Sequence, residues 1–112
     1  MNKKIQVVFY KTPAGNEPVR EWLIGLDVED KKSIGADIKT VEYGWPMGMP
    51  VSRSLGNSLY EVRSNISHKR ISRVIFTIID NYMVLLNGFI KKTQKTPQNE
   101  IDLALKRAKD IR

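Results

Sequence analysis

Basic side chains interrupt strand-like stretches in the second half of the chain. Arg63 lies in "LYEVRSNI", Arg70 and Arg73 lie in "RISRVIFTII", and Lys91 and Lys92 end the run that begins "YMVLLNGFI". A guanidinium group binds a phosphate through two parallel hydrogen bonds, and several cations together stabilise the charge of a phosphoryl transition state. If the three stretches are neighbouring strands, these residues converge into an anion-binding site.

The net charge is segregated along the chain. The sequence has 112 residues with 19 Lys and Arg against 12 Asp and Glu, a formal net charge of +7. Residues 1–50 hold seven of each sign, whereas residues 51–112 hold 12 basic and five acidic residues, so the whole excess lies in the second half. Such a distribution indicates a basic face that meets an anionic partner, most often a nucleic acid.

Few groups that titrate near neutral pH accompany these cations. The single histidine, His68, lies in "SHK" between two predicted strands, which favours a surface turn over a catalytic role. Glu61 lies two residues before Arg63 and therefore on the same side of a strand. It is expected either to pair with an arginine or to act as a general base.

A metal centre is not expected. The chain has no cysteine, and its acidic residues lack metal-ligand spacing. Asp27, Glu29 and Asp30 cluster where a helix is predicted to begin, and the helix dipole accounts for acidic residues there. No glycine-rich phosphate loop is present, and no cofactor is expected.

The elements that would position the cations can be read from the periodicity. Residues 5–10, "IQVVFY", read as a strand. Two helices should follow, the first with Asn16 as its N-cap and the second beginning after Asp27 and stopping at Gly44. Residues 44–50, "GWPMGMP", predict a connecting loop.

Three strands and a helix are predicted after this loop. The strands cover residues 57–66, 70–79 and 82–90, separated by "SHK" and by the turn pair Asp80-Asn81. Close spacing favours an antiparallel meander, and the third strand should be internal because it is apolar on both faces. Thr96 is predicted to cap the last helix, with Pro97 in its first turn.

The sequence therefore predicts one α+β domain spanning residues 1–112. Its order is strand, helix, helix, three antiparallel strands and helix, with the helices on one face of the sheet in two layers. The composition, 41% apolar and 28% charged, is that of a globular domain. No signal peptide or membrane span is recognised, and a cytoplasmic location is expected.

The ordered set of motifs resembles a known family. "GNSLYEVRSN", "RISRVIF" and "MVLLNGFIKKTQKTPQNEIDLA", together with "VVFYKTPAGNEPVREWL" and "GWPMGMP", resemble the HigB/RelE-type toxins, especially the phage-derived HigB-like branch. The likeness covers nearly the whole chain. It implies a RelE-like fold and a toxin of a type II toxin–antitoxin system.

The resemblance also implies an activity and partners. Toxins of this type are ribosome-dependent endoribonucleases that cut mRNA in the ribosomal A site without a metal, by attack of the 2′-hydroxyl on the adjacent phosphate, and so inhibit translation. The implied partners are the ribosome, mRNA and a cognate HigA-type helix-turn-helix antitoxin, with which the toxin forms an oligomer.

Site residues carry over individually. The resemblance implies catalytic roles for Arg63, Arg73 and Lys91. It implies RNA contacts for four further basic residues, namely Arg53, Arg70, Lys92 and Lys95. The chain departs from the family at Asn87, where a histidine is frequent. Because an amide does not titrate near neutral pH, Asn87 cannot act as an acid or base.

Two other functions stay open at this point. A ParE-like inhibitor of DNA gyrase would share the fold without cutting RNA, and would meet its target through a protein surface. A relative that binds nucleic acid but is inactive as a toxin would share the basic face. Fold likeness alone does not separate these functions.

Overall fold

A computed structural model describes residues 5–46, 51–91 and 95–111 of the chain. In chain order the elements are β1 (Gln6–Phe9), α1 (Pro18–Ile24), α2 (Val28–Gly44), β2 (Ser52–Gly56), β3 (Leu59–Ile66), β4 (Arg70–Ile79), β5 (Tyr82–Lys91) and α3 (Gln98–Asp110). The five strands form one sheet in the order β1-β5-β4-β3-β2. β1 runs parallel to β5, and all other neighbouring strands are antiparallel.

The predicted meander is confirmed, and tight turns set its register. The turn between β2 and β3 holds Asn57 and Ser58, and the turn between β3 and β4 holds His68 and Lys69, all four at positive φ. This is the pattern of the two-residue turns that match the twist of antiparallel strands. Asp80, also at positive φ, turns the chain into β5 as predicted.

Both faces of the sheet are covered, which the sequence did not predict. On one face, Val62, Val74 and Phe76 pack with Val19 of α1 and Ile34 of α2. On the other face, a second core packs against α3; its members include Leu59, Ile75, Leu86, Ala104 and Ala108. The α+β class is confirmed, but the expectation that all helices share one face is wrong because α3 crosses to the opposite side.

One strand was missed in the sequence. β2 has only five residues, is largely exposed and pairs with β3 alone. Its sequence, "SRSLG", lacks the β-branched and aromatic residues that mark strands, so an edge position leaves little signal. The internal position predicted for β5 is confirmed, since β5 lies between β1 and β4.

The helix starts differ from the predicted caps. Glu17, not Asn16, occupies the N-cap of α1, and no side chain caps it. Asp27 holds the N-cap position of α2 as predicted, although its side chain makes no capping hydrogen bond. Pro97, not Thr96, is the N-cap of α3, because Thr96 is engaged elsewhere.

Two further expectations concern the loop and the membrane. α2 ends at Gly44 as predicted, and the following residues leave the helix. The remainder of the predicted loop, residues 47–50, lies outside the described residues. Within the part of the chain that the structure describes, no helix combines the length and apolar character needed to cross a membrane.

Candidate functional site

Four basic side chains, one from each of the strands β2 to β5, share the sheet face that carries α3. Arg63 of β3 lies directly opposite Arg73 of β4. Arg53 of β2 lies opposite Glu61, and Lys91 pairs with residue 71, two positions from Arg73. Residues opposite each other, or two apart on one strand, point to the same face. The register therefore brings these five residues together.

Arg73 is the buried centre of this cluster. It is 0% exposed. Its Nη1 donates a hydrogen bond of 2.9 Å to Thr96 Oγ1 and lies 3.9 Å from Glu61 Oε1. Burial lowers the pKa of Arg73, the Glu61 carboxylate opposes that shift, and the charges of Arg63 and Arg53 add to it. In this structure Arg73 contributes charge to the face without being exposed on it.

Thr96 joins the buried charges to the start of α3. Its hydroxyl accepts from Arg73 and donates to Glu61 Oε2 at 2.5 Å. Glu61 is as enclosed as Arg73, at 1% exposed. This arrangement favours the pairing role of Glu61 over that of a general base. Sequence reasoning missed Thr96, because "KTP" also has the pattern of a helix cap.

Arg63 is the arginine of the opposed pair Arg63 and Arg73 that remains available. It is half-buried, and its side chain forms no hydrogen bond or ion pair with any residue that the structure describes. Two like charges placed opposite each other on adjacent strands repel. Since Arg73 is held by Thr96 and Glu61, Arg63 is the member of this pair whose guanidinium has hydrogen-bond donors available.

Other cations surround this position. Arg53 is exposed and Lys91 is half-buried. Arg53, Lys95 and Thr96 line a hollow of about 190 Å³ between β2 and the start of α3. Lys92, expected to contact RNA, lies outside the described residues. The described cations thus form a rim around the buried pair of Arg73 and Glu61.

Arg70 does not belong to this cluster. It lies three positions before Arg73 on β4, so its side chain points to the opposite face of the sheet, toward α2. Its Nη2 donates to Asp30 Oδ2 at 2.8 Å, and its Nε donates to the carbonyl oxygen of Ser67 at 3.0 Å. The expectation that Arg70 converges with the other cations is wrong, since one step along a strand reverses the face.

Asp30, the partner of Arg70, also binds Ser67. Its carboxylate accepts from the backbone N–H and the hydroxyl of Ser67, both at 3.0 Å. These hydrogen bonds, foremost that of the backbone, and the Arg70 guanidinium hold the pKa of Asp30 below its ordinary value of 3.8. The link fastens the first turns of α2 to the turn between β3 and β4.

Asn87 lies beneath α3 and not on the rim. It is 3% exposed, and its Nδ2 donates to Glu100 Oε1 at 2.9 Å and to the Glu100 carbonyl oxygen at 3.3 Å. A β-bulge in β5 places it there, because Ile75 and Phe76 pair with Asn87 and Leu85 and leave Leu86 as the extra residue. Asn87 thus helps to seat α3 on the sheet.

Other potential chemistry is sparse on the described surface. His68 is exposed in its turn, as expected. Among residues 5–46, 51–91 and 95–111, no group of three or more His, Cys, Asp or Glu side chains is placed to hold a metal ion. The chemistry available on the α3 face is that of positive charge and hydrogen-bond donors.

The fold is that of a RelE-like α+β protein. The chain belongs to the family of phage-derived Gp49-like proteins (DUF891), whose model matches residues 21–109. This is a family of RelE/HigB-like toxins, and membership suggests an antitoxin as partner. No curated protein matched the sequence. The matched range contains every residue of the cationic rim described above.

Proposed function

We propose that the protein is the toxin of a type II toxin–antitoxin system of the HigB-like branch and acts as an endoribonuclease on mRNA. The observation that carries the proposal is the Arg63 guanidinium, which has no partner among the described residues and lies opposite the buried charge of Arg73. Family membership supports the toxin class. The excess charge of residues 51–112 supports an anionic substrate.

The proposed reaction is a transesterification within the RNA. The 2′-hydroxyl oxygen attacks the adjacent phosphorus while the bond to the 5′-oxygen breaks. The products are a 2′,3′-cyclic phosphate and a 5′-hydroxyl, with one proton lost from the 2′-oxygen and one gained by the 5′-oxygen. The phosphorane gains negative charge on its non-bridging oxygens, which is the charge that Arg63 would stabilise.

The other residues of the rim support this step. Arg53 and Lys95 would hold flanking phosphates, and Lys91 would contact the phosphate that reacts. Arg73 would raise the positive potential beneath Arg63 without touching RNA. Positioning and electrostatic stabilisation are the effects this face supplies, and a ribosome that orders the mRNA would strengthen both.

The proposed partners follow from the toxin class. A helix-turn-helix antitoxin of the HigA type would neutralise the protein in an oligomeric complex, and the ribosome would present mRNA in its A site. Both place the action in the cytoplasm. The basic rim would have to be covered or held away from the ribosome in the neutralised complex.

The test is the substitution Arg63→Ala. Loss of a single donor to a transition-state oxyanion costs roughly 10²- to 10³-fold in rate, so induced expression of Arg63→Ala should no longer arrest growth. Circular dichroism would verify that the variant is folded. Arg20→Ala, which removes an exposed arginine on α1, is the matched control and should remain toxic. Toxicity of Arg63→Ala equal to that of wild type at equal expression would refute the assignment.

A further inference from the structure

A pocket opens at the edge of the sheet next to Arg63. The ladder between β2 and β3 is followed by a hydrogen bond of 2.9 Å from the Arg63 N–H to the Val51 carbonyl oxygen. Further along β3 no described residue of β2 pairs with the strand, and Asn65 is exposed there. A pocket of about 240 Å³ lies at this point, lined by Asp37 of α2 together with Val51, Arg63 and Asn65.

Two oppositely charged residues line this pocket without pairing with each other. Asp37 and Arg63 both line it, yet neither side chain forms a hydrogen bond or ion pair with a residue that the structure describes. A carboxylate only accepts hydrogen bonds, and a guanidinium only donates them. The complementary ligand therefore presents donors to Asp37 and acceptors to Arg63.

These requirements select the class of ligand. Asp37 would repel a phosphate, so this pocket differs in kind from the cationic rim. Its volume is below the roughly 300–1,000 Å³ of pockets for drug-sized ligands, which suits a single heterocycle. Proteins read the bases of single-stranded RNA through hydrogen bonds to their exposed edges, and arginine commonly pairs with guanine O6 and N7.

We propose that this pocket binds a guanine base of the RNA and that Asp37 determines the specificity. The guanine N1–H and 2-amino group would donate to the Asp37 carboxylate, and O6 would accept from Arg63. Guanine offers two adjacent donors on this edge, whereas adenine offers only its amino group there. The inference rests on the proposed function, because it assigns a base preference to the same RNA site.

Binding of short RNAs measures this preference directly. The probes are 2′-fluoro hexanucleotides that consist of uridines and one central guanine, inosine or adenine. Their binding to the protein is measured by fluorescence anisotropy at fixed salt. The 2′-fluorine removes the attacking hydroxyl, so the RNA stays intact. Inosine lacks only the 2-amino group of guanine. A bidentate base contact is worth about 1–3 kcal/mol, so wild type should bind the guanine probe on the order of 10-fold more tightly than the inosine probe.

Asp37→Asn should abolish this difference, because an amide cannot accept from both guanine donors at once. Asp102→Asn removes an exposed carboxylate from α3 and is the matched control, since it changes the net charge equally and should keep the preference. Equal binding of all three probes by wild type, binding of none, or an unchanged preference in Asp37→Asn would overturn the base pocket. Growth arrest that still depends on Arg63 would show that the proposed function stands without it.

Discussion

At the scale of single residues, the site depends on which groups pair with the charge and the hydrogen-bond donors of a buried arginine. Burying a charge is costly unless it is paired and hydrogen-bonded. Arg73 meets this demand through Thr96 and Glu61, and this leaves Arg63 with its donors available. The convergence of Arg63 and Arg73 could be predicted from the meander of adjacent strands, whereas the expected convergence of Arg70 was wrong. Which of them is enclosed could not, because that depends on Thr96 and on the placement of α3.

The hydroxyl of Thr96 can be tested by an isosteric change. Thr96→Val should lower the free energy of unfolding by about 1–3 kcal/mol, because buried groups of Glu61 and Arg73 each lose a partner. Thr96→Ser keeps the hydroxyl and should restore most of the stability. Urea denaturation would measure both variants.

A second threonine provides the control for this comparison. Thr40 is exposed on α2, and its hydroxyl donates to the carbonyl oxygen of Ala36. Thr40→Val should change stability by less than about 0.5 kcal/mol, as surface substitutions usually do. A Thr96→Val variant as stable as wild type would show that the hydroxyl does not hold the buried pair together.

At the scale of elements, α2 and α3 are each fastened to the sheet by polar contacts whose partners are distant in sequence. Asp30 and Arg70 tie α2 to the turn after β3, and Asn87 and Glu100 tie the start of α3 to β5. Periodicity predicted most of the strands and all three helices. These contacts could not be predicted, because a polar residue on a helix or strand has the same local pattern whether it is paired or solvated.

The link through Asp30 predicts a pH dependence of stability. Its pKa is lowered in the folded state, so the folded protein favours the charged carboxylate more than the unfolded chain does. The resulting stabilisation is fully present above the ordinary aspartate pKa of 3.8 and is lost as the pH falls through the lower folded value. Asp30→Asn should be less stable than wild type at pH 7, and the difference should shrink toward pH 3.

Denaturation in urea at several pH values would measure this difference. Asp27→Asn is the matched control, because Asp27 is an exposed residue three positions earlier whose side chain makes no capping hydrogen bond. At pH 7 Asp27→Asn should lower the free energy of unfolding by less than Asp30→Asn does. A difference in the free energy of unfolding between Asp30→Asn and wild type that stays constant from pH 7 to pH 3 would contradict the role assigned to Asp30.

At the scale of the whole molecule, charge and topology act together. The meander places β2 to β5 side by side, so four basic residues of the second half, Arg53, Arg63, Arg73 and Lys91, share one face of the sheet. That the second half of the chain would form a basic surface could be predicted from the charge count. The crossing of α3 to this face could not, since the amphipathic pattern of a helix shows which of its sides is buried but not which face of the sheet buries it.

The central claim is that Arg63 directs the cleavage of mRNA. Its most direct test maps mRNA 5′ ends in cells that express wild type or Arg63→Ala at equal levels. We predict new 5′-hydroxyl ends within translated regions for wild type and their absence for Arg63→Ala. Intact mRNA accompanied by DNA breaks, as a gyrase inhibitor would cause, or the same cuts in Arg63→Ala, would contradict the account.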